Sequence, residues 1–192
     1  MRLEDKGKLI ILSAPSGAGK STLVRAVMAH FPDLVFSVSA CNRSPRVGET
    51  DGHHYFFLST EAFLEHIRQD DFLEWEEVYP GRYYGTLKSF VEDNLNQGND
   101  VIFDVDVKGG LKIKQYYGMQ ALALFIMPPS LEVLESRLRN RSTEDDNSLK
   151  VRLGKAMEEM AHAAAFDRVI VNDDLEVAIN RVLTEVTQFL SA

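Results

Sequence analysis

Residues 13–22 read SAPSGAGKST, a glycine-rich turn that runs directly into a lysine and two hydroxyl residues. Where such a turn joins a strand to a helix, its backbone N–H groups can surround the phosphates of a nucleotide. Lys20 is then expected to reach the β- and γ-phosphate oxygens, and Ser21 to ligate Mg2+. The pattern predicts a nucleoside triphosphate site, although Ala14 stands where the strict pattern has glycine. Its predicted members are Ala14, Pro15, Ser16, Gly17, Ala18, Gly19, Lys20, Ser21 and Thr22.

A second set of candidates lies in the segment SVSACNRSPRVGE, residues 37–49, where Arg43 and Arg46 flank Pro45. Each guanidinium can grip a phosphate through two hydrogen bonds, so two of them suit the non-transferring oxygens of a monophosphate. For these residues alone, an ordinary solvated loop is the alternative. The phosphate cradle by itself fits a GTPase, an ATPase motor or a small-molecule kinase, and the arginines favour the kinase because they supply an acceptor site.

Carboxylates and further arginines stand in the second half of the chain. Asp104 and Asp106 flank Val105 near the end of a predicted strand, so both are expected on one face of that strand. Arg137 and Arg141 are four residues apart and share one face of a predicted helix. Paired structural carboxylates and a solvated helix face are the alternatives for these two groups.

Strands that alternate with helices are predicted to position these residues. The apolar run from Lys8 to Ser13 is typical of a buried parallel strand. Residues 21–30 are predicted to form the helix that follows this strand. Further buried strands are predicted at 100–107, 121–127 and 168–171, with helical patterns between them. This alternation indicates an α/β protein with a parallel central sheet.

The region between the first helix and Asp100 has a different character and predicts an insertion. It favours half-exposed strands at 36–39 and 54–58 and helices at 60–69 and 87–97. Helices are also expected at 130–141 and 148–165, and the polar residues 142–147 between them predict a mobile lid. Four aromatic residues are predicted to lie in the core, namely Phe56, Phe57, Trp75 and Phe125.

The overall composition limits the classes of partner. With 192 residues, of which 45% are hydrophobic, the chain is long enough for one domain with a core. Its net charge of −8 argues against a general binder of nucleic acids or anionic membranes, which needs a basic face. No apolar segment reaches the ~20 residues of a membrane span. With the single cysteine, Cys41, these features predict a soluble protein of the cytoplasm.

The order of several motifs resembles the guanylate kinase family. Besides the two segments already described, the chain contains GHHYFF from Gly52, FLEWEEV from Phe72, YYGT from Tyr83 and VNDD from Val171. Together these motifs span nearly the whole chain. The resemblance implies a three-layer P-loop kinase fold with a parallel central sheet, an inserted monophosphate-binding region of mixed strands and helices, and a helical lid. It also implies transfer of the γ-phosphoryl group of ATP to GMP, and by extension to dGMP, in purine nucleotide metabolism, with Mg2+ as cofactor.

The resemblance further implies three groups of residues around GMP. Two arginines and two tyrosines would hold the phosphate, namely Arg43, Arg46, Tyr55 and Tyr84, and Glu49 would orient the arginines. The base would be recognised by Glu74, Ser39 and Thr86. The carboxylates Asp104 and Asp106 would face the acceptor and the hydrated Mg2+.

Base selection would depend on Glu74. Guanine presents its N1–H and N2–H donors side by side, and one carboxylate can accept both, whereas adenine offers an acceptor at N1 and no amine at C2. A site built for hydrogen bonds can reject a ligand that fails to make them by roughly 10⁴-fold. A single carboxylate is therefore sufficient for the choice in principle.

By the same resemblance, arginines of the lid would close over ATP and the transferring phosphoryl group. These are Arg137, Arg141 and Arg152, while Asn172 and Asp173 would lie near the adenine. The residues expected to act in catalysis are Lys20, Arg43, Arg137 and Arg152. The implied layout is a single domain with core segments 1–35, 97–135 and 154–192, a GMP-binding region at 36–96 and a lid at 136–153.

Two alternatives remain beside an ATP:GMP phosphotransferase. One is a kinase on the same scaffold with another acceptor, against which Glu74, Ser39 and Thr86 count. The other is a non-catalytic, guanylate-kinase-like domain that binds a phosphopeptide, against which the intact lysine of the cradle counts. ATP and GMP are the expected partners, nucleic acid and membrane are not, and the oligomeric state stays open, with a homodimer as one alternative.

Overall fold

The computed structural model describes residues 6–140 and 146–192. Its strands are β1 (Leu9–Ser13), β2 (Val35–Phe36), β3 (Ala40–Cys41), β4 (Phe56–Phe57), β5 (Phe72–Tyr79), β6 (Arg82–Leu87), β7 (Val101–Asp104), β8 (Ala121–Met127) and β9 (Arg168–Val171). Its α-helices are α1 (Lys20–His30), α2 (Thr60–Arg68), α3 (Lys88–Asn96), α4 (Val107–Tyr117), α5 (Leu131–Arg139), α6 (Asp146–Ala161) and α7 (Leu175–Ser191). Within this part of the chain, no helix is both long and apolar enough to cross a membrane.

These elements form two compact units. The larger unit contains Leu9–Leu34 and Ile102–Ala192, and the smaller unit contains residues 6–8 and Val35–Val101. The five-stranded sheet has the order β2-β7-β1-β8-β9. Strands β1, β8 and β9 lie wholly in the larger unit.

A parallel sheet forms the centre of the larger unit. Strand β1 pairs in parallel with β8, with Leu9 opposite Ala121 and Ser13 opposite Phe125. All five residues of β1 are buried, and because consecutive residues point to opposite faces, both faces of the sheet are covered here. Phe125, a predicted core residue, is fully buried. The predicted α/β fold with a parallel central sheet is thus confirmed.

The end of the predicted strand at 100–107 is wrong. Strand β7 stops at Asp104, and Asp106 instead caps α4, because its Oδ1 accepts the N–H of Gly109 at 2.8 Å. The helix then passes close to β1, where a Cβ on Gly110 would lie 2.3 Å from the Oγ of Ser13. The hydroxyl of Ser13 donates to the carbonyl of Asp106 at 3.1 Å. Asp104 and Asp106 are therefore not alternate residues on one strand face.

The smaller unit contains a four-stranded sheet in the order β4-β3-β6-β5. Its core is aromatic, since Phe63 of α2 stacks on Phe72 of β5 with ring centroids 4.4 Å apart. The predicted strands at 36–39 and 54–58 are only partly correct. Residues 37–39 are not in a strand, and the two-residue strands β3 and β4 pair in parallel through Ala40 and Phe56.

Strands β5 and β6 form an antiparallel hairpin that the sequence patterns did not predict. Glu74 lies opposite Thr86, and the register shifts between Glu77 and Tyr79, so Val78 is the extra residue of a bulge. Trp75 was predicted to be a core residue, but its relative exposure is 39%. The prediction is wrong because Trp75 lies in the part of β5, an edge strand, where the burial seen at Phe72 and Leu73 gives way to exposure.

The helices predicted around the lid are confirmed with shifted ends. Helix α5 covers Leu131–Arg139 of the predicted 130–141, and the hydroxyl of Ser130 caps it by accepting the N–H of Val133 at 3.2 Å. Helix α6 covers Asp146–Ala161 of the predicted 148–165, where a short 3₁₀ turn, Ala163–Ala165, takes over. Leu134, Leu138, Leu149 and Ala156 form the small core between these two helices.

Candidate active site

The glycine-rich turn leads from β1 into α1. Gly17 and Gly19 have φ values of 92° and 95°, a left-handed conformation that costs glycine little and other residues much. A Cβ on Gly17 would lie 2.9 Å from a methyl carbon of Leu138 in α5. The helix begins at Lys20, so its first backbone N–H groups lie at the turn and form an anion-binding site.

The end of β7 meets the start of α1. The ammonium group of Lys20 forms an ion pair with Asp104 and donates to the carbonyl of Val105 at 2.8 Å. The hydroxyl of Ser21 donates to the other carboxylate oxygen of Asp104 at 3.2 Å. The structure thus brings together the lysine, the hydroxyl and one of the two carboxylates that the sequence nominated.

A cleft of about 410 Å³ opens at this point in the larger unit. Its walls are the glycine-rich turn, the two carboxylates and one side of α6, with the lining residues Ala14, Pro15, Ser16, Gly17, Gly19, Lys20, Ser21, Asp104, Asp106, Arg152, Lys155 and Glu159. Arg152 donates from Nη2 to the hydroxyl of Ser16 at 2.7 Å. A positive side chain of α6 therefore rests on the turn that is expected to hold phosphates.

Lys155 and Glu159 line the cleft but were not nominated from the sequence. They follow Arg152 in α6 by three and seven residues, which places all three on one side of the helix. The ammonium group of Lys155 lies 3.9 Å from a carboxylate oxygen of Glu159. Helical spacing from Arg152 was the signal that could have identified them.

Other nominated residues lie beside the cleft. Arg137 donates from Nη2 to the backbone carbonyl of Asn172 at 3.0 Å, and the side-chain amide of Asn172 donates to the carbonyl of Ala18 at 2.7 Å. Thr22 lies in the first turn of α1, and its N–H donates to the carbonyl of Gly19 at 3.1 Å. Arg141 lies outside the described residues.

Arg43 and Glu49 form the centre of the second group, in the smaller unit. The two terminal nitrogens of Arg43 donate to the two carboxylate oxygens of Glu49 at 2.5 and 2.7 Å. The backbone N–H of Arg46 donates to Glu49 as well, at 2.7 Å. These bonds, chiefly those from Arg43, lower the pKa of Glu49 to about 2, and the same pairing raises the pKa of Arg43. Glu49 thus stays ionised and holds the arginine loop together.

Aromatic rings surround the guanidinium of Arg43. Its central carbon lies 4.9 Å from the ring centroid of Tyr55 and 5.5 Å from that of Phe57. A side-chain hydrogen bond with Tyr84 also helps to raise the pKa of the Arg43 guanidinium. The Nε of Arg43 is buried and makes no hydrogen bond to any residue in the described ranges. The side chain of Arg46 is exposed. Phe57 was predicted only as a core residue and is half-buried beside Arg43. Its spacing of two residues from Tyr55 was the available signal for this position.

Glu74 and Thr86 meet across the β5–β6 hairpin. The hydroxyl of Thr86, which is fully buried, donates to Oε1 of Glu74 at 2.7 Å. Ser39 is half-buried, and its backbone carbonyl accepts the N–H of Phe56 at 2.9 Å. The side chain of Asn42, which the sequence did not nominate, ties the hairpin through the carbonyl of Gly81 and the N–H of Tyr83, each at 2.8 Å.

A parallel sheet whose strand β1 leads through a glycine-rich turn to Lys20 and Ser21 defines a P-loop fold. The chain belongs to the guanylate kinase family, whose family model matches residues 6–189. The guanylate kinase of Bacteroides thetaiotaomicron is 51% identical over 96% of this chain and 91% of its own. That of Salinibacter ruber is 50% identical over 96% of this chain and 97% of its own.

Solved structures agree with this assignment. The crystal structure of guanylate kinase from Anaplasma phagocytophilum is 30% identical, has a TM-score of 0.72 and covers 98% of this chain and 88% of its own. A gluconokinase structure from Sinorhizobium meliloti, 14% identical with a TM-score of 0.54, covers 97% of this chain and 95% of its own. The second likeness concerns the fold alone. The family match favours the phosphotransferase over both alternatives raised by the sequence.

Proposed function

We propose that this protein transfers the γ-phosphoryl group of ATP to GMP, giving ADP and GDP. The observation that carries the proposal is the match to curated guanylate kinases at about half identity over 96% of the chain, which includes an intact phosphate cradle at Lys20. The cytoplasm and purine nucleotide metabolism follow as its setting, because both substrates are intracellular purine nucleotides. We retain as proposals the core segments 1–35, 97–135 and 154–192, the GMP-binding region 36–96 and the lid 136–153.

ATP would bind with its β- and γ-phosphates at the turn. The N–H groups at the start of α1 and the ammonium group of Lys20 supply positive charge there. Binding requires Lys20 to exchange its contacts with Asp104 and Val105 for phosphate oxygens. Arg152, already held at Ser16, is placed to add charge from α6.

The residues of the cleft fit Mg2+. This hard ion prefers oxygen ligands and retains several waters, and Ser21 and Asp104 place a hydroxyl and a carboxylate 3.2 Å apart beside the phosphate cradle. Among residues 6–140 and 146–192, no cluster of three His, Cys, Asp or Glu side chains forms a separate metal site. Ser21 would therefore ligate the ion together with the phosphates of ATP, and Asp104 would orient its water. When bound, Mg2+ offsets the negative charge of the phosphates.

GMP would bind in the smaller unit. Arg43, fixed by Glu49 and lying over Tyr55, would hold the phosphate, with Tyr84 and Arg46 as further donors. Glu74 would accept N1–H and N2–H of guanine, because a carboxylate offers two adjacent acceptor oxygens, and the bond from Thr86 fixes its Oε1. These contacts do not involve the ribose 2′-hydroxyl, so we extend the proposal to dGMP.

The chemistry needs alignment and charge neutralisation rather than a base. The attacking oxygen belongs to a phosphate that is ionised near neutral pH, so no proton has to be removed from it. Lys20, Arg43, Arg137 and Arg152 would stabilise the charge that spreads over the oxygens in the transition state. A guanidinium nitrogen of Arg137, Nη1, is buried without a hydrogen bond in the described part of the chain, so a phosphate would reach it only after the packing around it opens.

A coupled assay of ADP formation tests the proposal, with ATP, Mg2+ and each of GMP, dGMP, AMP, CMP and UMP. Turnover is expected with GMP and dGMP and not with the other three. No turnover with GMP, or equal rates with AMP, would contradict it.

For Ser21→Ala we expect a higher Mg2+ concentration at half-maximal rate, and an unchanged Mg2+ dependence would remove Ser21 from the metal site.

A further inference from the structure

Asn172 has few features of a ligand-binding side chain. Its relative exposure is 4%, so very little of it can meet adenine, although the family resemblance suggested that neighbourhood. Three hydrogen bonds instead join it to three separate segments of the larger unit. Its N–H donates to the carbonyl of Met127 at 2.8 Å, its side-chain amide donates to Ala18, and its carbonyl accepts from Arg137.

The bond to Ala18 controls the direction of a backbone donor. The peptide unit between Ala18 and Gly19 is trans, so its C=O and its N–H point in opposite directions. Asn172 holds the C=O, at 2.7 Å, and thereby turns the N–H of Gly19 away from itself. Gly19 lines the cleft, whereas Ala18 is only 1% exposed. The amide of Asn172 therefore keeps one phosphate-binding N–H group aimed at the cleft.

The same residue fixes a catalytic arginine. The backbone carbonyl of Asn172 accepts from Nη2 of Arg137 at 3.0 Å, while Nη1 of that guanidinium is buried with no hydrogen bond to the described residues. Close packing adds to the constraint, since a Cβ on Gly19 would lie 2.4 Å from Nδ2 of Asn172. A shift of Asn172 would thus move the phosphate cradle and Arg137 together.

We infer that Asn172 is a positioning residue for phosphoryl transfer, which aligns the Gly19 N–H and the Arg137 guanidinium on the phosphates of ATP. The inference rests on the proposed function. Removal of the amide would leave the carbonyl of Ala18 buried without its partner and free to rotate, so the N–H of Gly19 loses its alignment. The backbone carbonyl that accepts from Arg137 is kept, and that arginine would be disturbed only through a shift of the backbone at residue 172. GMP recognition should be unaffected, because its nominated phosphate- and base-binding residues lie in the other unit.

The test compares Asn172→Ala and the nearly isosteric Asn172→Leu with Asn180→Ala, the same truncation at an exposed position of α7. For both Asn172 variants, we expect kcat/KM for ATP to fall about 10- to 100-fold, as for a buried group left unpaired. KM for GMP should stay within about two-fold, and the control should match the wild type.

Urea unfolding separates positioning from folding. Unchanged ATP kinetics in a folded variant, equal losses for ATP and GMP, or failure of both variants to fold would overturn the inference. Titration of ADP into the wild type and the variants, without acceptor, is independent of turnover, and weaker ADP binding is expected. If the wild type fails to phosphorylate GMP, the proposed function fails, and the ADP titration still decides the role of Asn172.

Discussion

The replacement Glu74→Gln tests base recognition with almost no change of shape. In the wild type, the buried hydroxyl of Thr86 donates to Oε1 of Glu74 at 2.7 Å. Glutamine can keep that bond through its own oxygen, which then leaves its NH2 group where the second carboxylate oxygen was. Guanine would meet a donor in place of an acceptor, and one charge-assisted hydrogen bond is lost.

The size of the effect follows from the bonds exchanged. Losing a hydrogen bond to a charged group costs about 1.5–3 kcal/mol, which lowers kcat/KM for GMP by about 10- to 150-fold. Adenine presents an acceptor at N1 beside its 6-amino group, so the amide can pair with it and gain about 0.5–1.5 kcal/mol, or about 2- to 10-fold. The ratio of kcat/KM for GMP to that for AMP should therefore fall about 20- to 1,500-fold.

Coupled ADP release with GMP and AMP measures this ratio. Glu77→Gln is the matched control, because Glu77 lies on the same strand, is exposed and uses Oε1 to accept the N–H of Gly81. The urea midpoint of Glu74→Gln should stay near that of the wild type, since Thr86 keeps its acceptor. The reasoning is refuted if the ratio changes less than about three-fold, or if the control changes it as much.

Further substitutions give results of different kinds. Lys20→Met should lower kcat at least about 100-fold with GMP affinity retained in a binding titration, and a two-fold loss would contradict its role. Because the pKa of Glu49 is held at about 2, below its ordinary 4.5, its stabilising contribution is complete above about pH 4.5 and lost as pH falls toward 2. The difference in urea midpoint between the wild type and Glu49→Gln should therefore become smaller as the pH falls from about 4.5 toward 2. A difference that stays constant with pH would refute the pairing of Glu49 with Arg43. Gly110→Ala should destabilise by about 1–3 kcal/mol, since its methyl meets Ser13, and Ser13→Ala should relieve part of this. In Gly154→Ala, the new methyl group in α6 has open space around it, so the variant should be more stable by about 0.5–1 kcal/mol. Urea unfolding measures both glycine variants, and a stabilised Gly110→Ala or a destabilised Gly154→Ala would refute the respective prediction.

The parallel core was predictable because its signals are local. An unbroken apolar strand followed by the glycine-rich turn and a helix start at Lys20 needs no distant information, and β1, α1 and β8 lie where the patterns put them. The β5–β6 hairpin was missed because β5 is an edge strand with exposed and half-buried glutamates, so its apolar alternation is weak. Pairing with β6 supplies what the pattern lacked.

The site shows the same division. The glycine-rich turn with Lys20 was enough to nominate a triphosphate site, and Arg43 and Arg46 suggested a monophosphate site. Glu74 was nominated as the guanine-recognising residue through the family resemblance. The sequence could not show that Asp106 caps a helix rather than extending a strand, because that depends on the close approach of α4 to β1. Nor could it show that the amide of Asn172 is spent on Ala18, 154 residues earlier in the chain. The sequence alone determined which chemical groups this protein has and the local turn that we propose as the phosphate site. The tertiary structure decided which of those groups remain available to substrate, because long-range hydrogen bonds depend on packing that no local pattern encodes.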